Sequence, residues 1–281
     1  MDLNRQKTFG ETFRALHRAP GILVLPNAWD VASALLLRRA GFEAVATTSA
    51  GIGYTAGYPV GEVMPLDEML QAVERIARRL DAPLSVDVES GFGVAPDEVA
   101  RTVTRTIEAG AVGINIEDSI HDGTGMLFGF GLAVERIAAA RAAADATGVP
   151  FVVNARTDGY WNAGAAAGAD IHDDAVARAN AFLAAGADCV FVPGVLDPGL
   201  VARLARGIDG PLNIMGGTGA PDVATLEACG VKRITVGAMF ARAAYGRLEE
   251  AARELRDRGT FGFADNIASH AALNALMKDA E

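Results

Sequence analysis

Three short stretches, Ser85-Val86-Asp87-Val88-Glu89, Gly113-Ile114-Asn115-Ile116-Glu117-Asp118 and Val153-Asn154-Ala155-Arg156-Thr157-Asp158, run from apolar residues into charged or amide side chains at alternate positions. In an extended strand residues i and i+2 point the same way. Asp87 with Glu89, Asn115 with Glu117, and Asn154 with Arg156 and Asp158 are therefore each expected on one face. Carboxylates crowded at low dielectric repel strongly unless a hard divalent cation or a positive side chain neutralises them. These residue types predict a site for Mg2+, with Mn2+ as the substitute, held by Asp87, Glu89 and Glu117 beside the guanidinium of Arg156. No histidine or cysteine enters the set, which favours an oxygen-seeking ion over zinc.

Elements able to place those residues together follow from the pattern of the whole chain. Short β-rich runs fall at about 22–25, 44–48, 84–89, 112–117, 150–156, 188–193, 211–215 and 234–237. Helical patterns stand between them, among them 67–80, 96–109, 132–147, 173–185 and 222–228, several opened by Asp or Pro. Gly41, Gly110, Gly186 and Gly230 punctuate the joints, where a helix stop in the left-handed region suits glycine. Eightfold alternation predicts a closed (β/α)8 TIM-type barrel over an open doubly wound sheet, with extra helices at 6–19 and 267–280. A chain of 281 residues fits one such domain, 1–281. Active sites of these barrels lie at the C-terminal strand ends, where Asp87, Glu89, Glu117 and Arg156 fall.

Composition removes other classes. A net charge of −10 argues against nucleic acid as a partner. No apolar run reaches the ~20 residues that span a bilayer, and Met1-Asp2-Leu3-Asn4-Arg5 lacks a signal-peptide core, so a cytoplasmic protein without membrane attachment is expected. Cys189 and Cys229 have no ligand spacing and read as structural thiols. The only lysines are Lys7, Lys232 and Lys278, none at a C-terminal strand end, which excludes a Schiff-base aldolase. Serine-hydrolase, P-loop and dinucleotide motifs have no support. Met215-Gly216-Gly217-Thr218-Gly219 follows the seventh run and keeps a phosphorylated substrate open.

The motifs Leu25-Pro26-Asn27-Ala28-Trp29-Asp30, Thr47-Thr48-Ser49-Ala50-Gly51, Asp87-Val88-Glu89-Ser90-Gly91-Phe92-Gly93, Asn115-Ile116-Glu117-Asp118 and Asn154-Ala155-Arg156-Thr157-Asp158 resemble the isocitrate lyase / phosphoenolpyruvate mutase superfamily over nearly the whole chain. Phe191-Val192-Pro193-Gly194, Pro211-Leu212-Asn213 and Gly230-Val231-Lys232-Arg233 resemble its short-loop branch. The resemblance implies a barrel that exchanges its eighth helix between subunits of a homodimer or homotetramer, a Mg2+ ion and a small 2-oxo or 2-hydroxy carboxylic acid. It matches Asp87, Glu89 and Glu117 to the metal acids and Arg156 to the arginine that grips the substrate. Thr48, Ser49 and Ala50 match the loop that holds a substrate carboxylate. Trp29 and Asp30 match the wall beside it and the layer of residues behind that wall, and Asn154 and Asn213 join the substrate-binding set.

Two departures narrow the activity. Val60 stands where the family usually carries aspartate, and Glu62 replaces it only if the segment is extended. The loop Ser119-Ile120-His121-Asp122-Gly123-Thr124-Gly125-Met126 lacks both the Lys-Lys-Cys-Gly-His motif of the isocitrate and methylisocitrate lyases and the Lys-x-Asn-Ser element of the phosphonopyruvate mutases. Decarboxylation of an oxaloacetate-type acid needs mainly an electron sink. Retro-aldol or retro-Claisen cleavage adds a demand for an acid and a base, for which Ser119 and His121 are the nearby candidates. His121 reads either as part of a mobile lid or as a surface histidine bonding Asp122. The expectation is a Mg2+-dependent carbon–carbon lyase. The alternatives are a phosphonopyruvate-type P–C mutase or hydrolase and a catalytically silent carboxylate binder.

Overall fold

The computed structural model describes residues 2–164 and 168–278. Among these residues nine short strands, all paired in parallel, alternate with helices. The strands are β1 (Leu23–Val24), β2 (Asn27–Ala28), β3 (Val45–Thr47), β4 (Leu84–Asp87), β5 (Gly113–Glu117), β6 (Val152–Arg156), β7 (Cys189–Phe191), β8 (Leu212–Met215) and β9 (Arg233–Thr235). The helices before β6 are α1 (Leu3–Arg18), α2 (Val31–Arg39), α3 (Ser49–Ala56), α4 (Leu66–Arg79), α5 (Pro96–Glu108) and α6 (Phe130–Thr147). After it come α7 (Gly159–Ala163), α8 (Ala169–Ala184), α9 (Pro198–Gly207), α10 (Val223–Ala228), α11 (Met239–Arg258) and α12 (His270–Lys278).

Eight staves were expected and nine strands are found because the first stave is split at Pro26. The sheet runs β1-β9-β8-β7-β6-β5-β4-β3-β2. On one side of the split, the Leu23 and Leu25 amides donate to the carbonyls of Lys232 and Ile234. On the other, the carbonyls of Pro26 and Ala28 accept from Ala46 and Thr48. Proline has no N–H to keep a single ladder going, so this segment changes partner there, and the change closes the ring.

Strand alternation sorts the side chains. Val86, Ile114, Ile116, Val153 and Ala155 join the apolar cluster with Val73 and Ile76 of α4 and Val99 and Val103 of α5. The opposite parity carries Asp87, Asn115, Glu117, Asn154 and Arg156 into the barrel. α1 closes the N-terminal end. Gln6 Nε2 donates to the Ile107 and Ala111 carbonyls at 2.7 and 2.9 Å, and Arg14 reaches the Phe151 carbonyl at 3.2 Å. Gly113 leaves room for Phe13, since a Cβ there would stand 2.7 Å from the phenyl ring.

Several boundaries differ from expectation. Thr48, Ser49 and Ala50, expected in a loop, instead cap and start α3, because the Thr48 hydroxyl accepts from the Gly51 amide. The run expected at 84–89 stops at Asp87, since Glu89 sits at φ 50°. The helix expected at 267–280 is α12 with a 3₁₀ turn at Gly262–Asn266 before it, and residues 279–280 lie outside the described residues. Among the described residues no helix is long and apolar enough to cross a membrane. Cys189 is buried and Cys229 half-buried, and neither is in a disulfide.

Candidate active site

A cavity of about 690 Å³ opens at the C-terminal mouth of the barrel. Asp87 from the end of β4, Glu117 from the end of β5 and Arg156 from the end of β6 all line it. Glu89 lines it too, through a turn rather than through strand parity. Thr48, Ser49, Ala50, Ser119 and His121 complete the part of the wall anticipated from sequence.

Each charged group is held from two sides. The Ser49 amide and hydroxyl donate to Asp87 Oδ2 at 3.1 and 2.8 Å, and Asn115 Nδ2 donates to Oδ1 at 3.0 Å. Arg156 Nη1 lies 2.8 Å from Glu117 Oε2, and its Nε donates to Asp158 Oδ1 at 2.5 Å. Trp161 and Phe191 flank the same guanidinium at 5.8 and 5.5 Å. The Ser119 hydroxyl donates to Asp158 Oδ2 at 2.6 Å. His121 Nε2 is 2.9 Å from Glu117 Oε1 and 3.9 Å from Glu89 Oε2. Of the two readings for His121, bonding to Asp122 is corrected: Asp122 Oδ1 instead accepts from the Thr124 amide and hydroxyl.

Burial first, and the negative charge of Asp87 next, push Glu89 up to about 7. Burial also raises Glu117, although Arg156 opposes the shift. Burial works against the charge on Arg156, but Glu117 and Asp158 outweigh it and hold the group above its usual range. Contact with Glu117 raises His121, with Glu62 and Glu89 adding to the effect. The mouth thus carries more carboxylate than its cations balance.

Behind Glu89 two loops clasp each other. The amides of Gly61 and Glu62 donate to Glu89 Oε2 at 3.0 and 2.6 Å. The Glu62 carboxylate turns the other way and accepts from the Ser90 hydroxyl and the Phe92 amide at 2.8 and 2.9 Å. Glu62 therefore does not stand in for the aspartate missing at Val60, because its side chain is spent on the neighbouring loop. Arg136 secures that loop from below by donating to the carbonyls of Ser90, Gly93 and Val94.

Four residues anticipated at the site lie outside this lining. Asp30 caps α2, accepting from the Ser33 amide at 2.7 Å, and the neighbouring Trp29 amide is tied to the Ser33 hydroxyl. Asn154 donates to Asn115 Oδ1 at 2.8 Å inside the barrel, and Asn213 pairs there with Thr235. Conversely, Tyr54, Trp161, Asn162 and Arg242 line the cavity without having been foreseen. No chemical pattern marks them, since they belong to helices and reach the mouth only through the fold. Asp158 lines it as well, and its i+2 spacing from Arg156 was the available signal. The glycine run after β8 lines an adjoining cavity of about 570 Å³, which shares Trp161, Met215, Met239 and Arg242 with the first.

The donor set suits a hard ion. Asp87, Glu89 and Glu117 offer only oxygen, and the raised Glu89 marks charge that a cation would relieve. Among the described residues no three acids or histidines gather closely enough to grip an ion directly. That spacing fits Mg2+, which keeps several of its waters and meets protein carboxylates partly through them.

A family model described as phosphoenolpyruvate phosphomutase matches residues 13–256. A solved chain from Burkholderia cenocepacia superposes with a TM-score of 0.90 at 40% identity, covering 97% of this chain and 96% of that one. The 2-methylisocitrate lyase of Escherichia coli is 32% identical over 211 residues, 72% of this chain and 68% of that protein. The structure of oxaloacetate acetylhydrolase in complex with its product oxalate has a TM-score of 0.86 at 26% identity, covering 97% of this chain and 96% of that one.

Proposed function

Because the chain belongs to the phosphoenolpyruvate phosphomutase family of the isocitrate lyase / phosphoenolpyruvate mutase superfamily, we propose that it is a Mg2+-dependent carbon–carbon lyase acting on a small 2-oxo or 2-hydroxy carboxylic acid, with oxaloacetate-type decarboxylation favoured. The observation that carries this reading is the convergence of Asp87, Glu89, Glu117 and Arg156 on one cavity. Relatives named for methylisocitrate and oxaloacetate chemistry support the substrate class.

Asp87, Glu89 and Glu117 would hold the ion, which when bound supplies positive charge opposite the substrate's ketone oxygen. Arg156 binds the neighbouring carboxylate; its orientation is fixed by Glu117 and Asp158 before substrate arrives, so little reorganisation is needed. The amide end of α3, with the Ser49 hydroxyl, is poised for a second carboxylate once Asp87 releases it. Loss of CO2 leaves the bonding pair on the substrate as an enolate, and the carbon must then take a proton. His121 is the donor in reach, because its contact with Glu117 raises its pKa and favours the protonated ring. Ser119, bonded to Asp158, is the corresponding route for removing a hydroxyl proton in a retro-aldol cleavage.

Purified protein incubated with a panel of 2-oxo and 2-hydroxy diacids should release pyruvate or CO2 with Mg2+ and fall silent with EDTA. A silent carboxylate binder is the second reading, favoured by the exposed Val60 on the cavity wall; tight oxalate binding with no turnover across the panel would establish it. We also read the chain as a homodimer or homotetramer. Phe240, Tyr245, Leu248, Leu255, Phe261 and Ile267 stay exposed along and after α11, apolar surface that a second copy would cover. Light scattering that returned a monomer would remove this reading.

A further inference from the structure

Arg233 opens β9 inside the barrel and is only 1% exposed. Among the described residues no carboxylate pairs with it. Its polar contact is His17, whose Nε2 lies 3.4 Å from Nη1, and its Nε has no partner. A buried cation in such a setting needs a counter-charge, and neither neighbour provides one. His17 Nδ1 sits 2.8 Å from the Phe13 carbonyl and must be the protonated nitrogen, leaving a lone pair toward Arg233 on a neutral ring. Burial and Arg233 itself drive that imidazole down to about 4. Burial pushes the Cys189 thiol up to about 12, so it carries no charge either.

Arg233 lines a second, enclosed chamber of about 50 Å³, under a roof formed by Asp87 and Arg156 of the catalytic cavity. Asn27, Thr47, Ser85 and Asn115 also line it. The asparagine amides and the Asp87 carboxylate there already have partners. Asn27 Oδ1 takes the Val236 and Gly237 amides, Asn115 Oδ1 takes Asn154, and both Asp87 oxygens are used by Ser49 and Asn115. The Asn27 and Asn115 amide groups are likewise committed, to the Thr47 carbonyl and to Asp87. What remains without a partner is the Arg233 Nε–H and the Ser85 hydroxyl. A water placed there could accept from both, but it would leave the charge of Arg233 uncompensated. A monatomic anion accepts from every side, donates nothing and cancels the charge. One water needs about 10–15 Å³ by this measure, so the volume admits such an ion with a companion water.

We propose that the barrel interior binds a chloride-class anion beneath the catalytic cavity, held by the guanidinium of Arg233 and the hydroxyl of Ser85. The site is independent of the lyase reading and stands whichever acid the mouth accepts. Two measurements on the full chain test it. Crystals grown in bromide should show an anomalous peak inside the chamber against Arg233. In halide-free buffer, chloride titrated at constant ionic strength against gluconate should raise the melting temperature saturably by several degrees, and Arg233→Met should abolish that dependence. If Arg233→Met does not fold, Ser85→Ala serves instead and should raise the half-saturating chloride concentration several-fold. An empty chamber in bromide crystals overturns the proposal, as does a chloride effect that persists in Arg233→Met or an unmoved midpoint in Ser85→Ala. A peak with no effect in solution means occupancy at crystal concentration only, and overturns it too.

Discussion

The two ends of the barrel are built on opposite plans. At the C-terminal mouth, Asp87, Glu89, Glu117 and Asp158 outnumber Arg156, Arg242 and His121, so carboxylates are in excess. At the N-terminal floor, Arg233 stands against a neutral His17 with no acid beside it. Backbone regularity differs as well. The described residues hold three non-glycine positions with positive φ, Glu62, Glu89 and Phe92, and all belong to the clasp behind the mouth. The floor is plugged by a regular helix whose Phe13 is fully buried. Strained backbone is confined to the clasp behind the mouth, while the floor is regular helix packed around Phe13 and its one imbalance is the lone cation Arg233.

That division can be broken at either end. Arg156→Ala should cut kcat/KM about 10³-fold, the scale of losing a preorganised charge at the reacting group, with far-UV circular dichroism unchanged. A variant retaining more than a tenth of the activity would remove Arg156 from its role. Phe13→Ala should do the reverse. It is expected to cost about 3–5 kcal/mol of stability in urea melts while leaving kcat of the folded protein near wild type.

The opposite charge imbalances predict opposite responses to pH. His17 has a folded pKa of about 4, below its unfolded value. The unfolded chain therefore binds the extra proton, and the stability tied to His17 is present above pH 6.5 and lost as pH falls toward 4, by up to about 3 kcal/mol. Glu89 is raised to about 7, so the folded state keeps a proton that the unfolded chain releases, and stability declines as pH climbs from about 4.5 to 7. Melting curves across pH should show both limbs. His17→Gln should flatten the acid limb, while Glu89→Gln, or saturating Mg2+ in the wild type, should make the upper limb shallower and leave the part due to the buried Asp118, which is also raised to about 7. A smaller effect is expected from Glu62→Ala, which frees the Ser90 hydroxyl and the Phe92 amide. Apparent Mg2+ affinity should drop about 10-fold, as when a supporting contact behind a metal ligand is removed, and calorimetric titration would measure it.

Much of the mouth was legible because its chemistry lies on three consecutive motifs with strand spacing. Asp87, Asn115, Glu117 and Arg156 kept the expected parity; Glu89 reached the cavity by a turn that no two-residue period encodes. Stave order was readable from helix–strand alternation, whereas the split at Pro26 depends on which neighbour each half of the segment bonds, a tertiary fact. Asp30 shows the converse case. Its motif suggested a cavity wall, but an aspartate three residues before a serine also spells a helix cap, and the local bond to Ser33 prevailed. Arg242 and Trp161 were invisible because a residue on a helix gains a site only when the barrel folds beneath it. Arg233 reads in sequence as an ordinary charge entering a strand, and only closure of the ring buries it.

Crystals grown with Mn2+ and oxalate provide the most direct test of the mouth. One anomalous manganese peak should appear between Asp87, Glu89 and Glu117, with an oxalate carboxylate in contact with the Arg156 guanidinium. Manganese bound away from those three acids, or oxalate bound without Arg156, would contradict a single hard ion and a single arginine acting together on an organic acid.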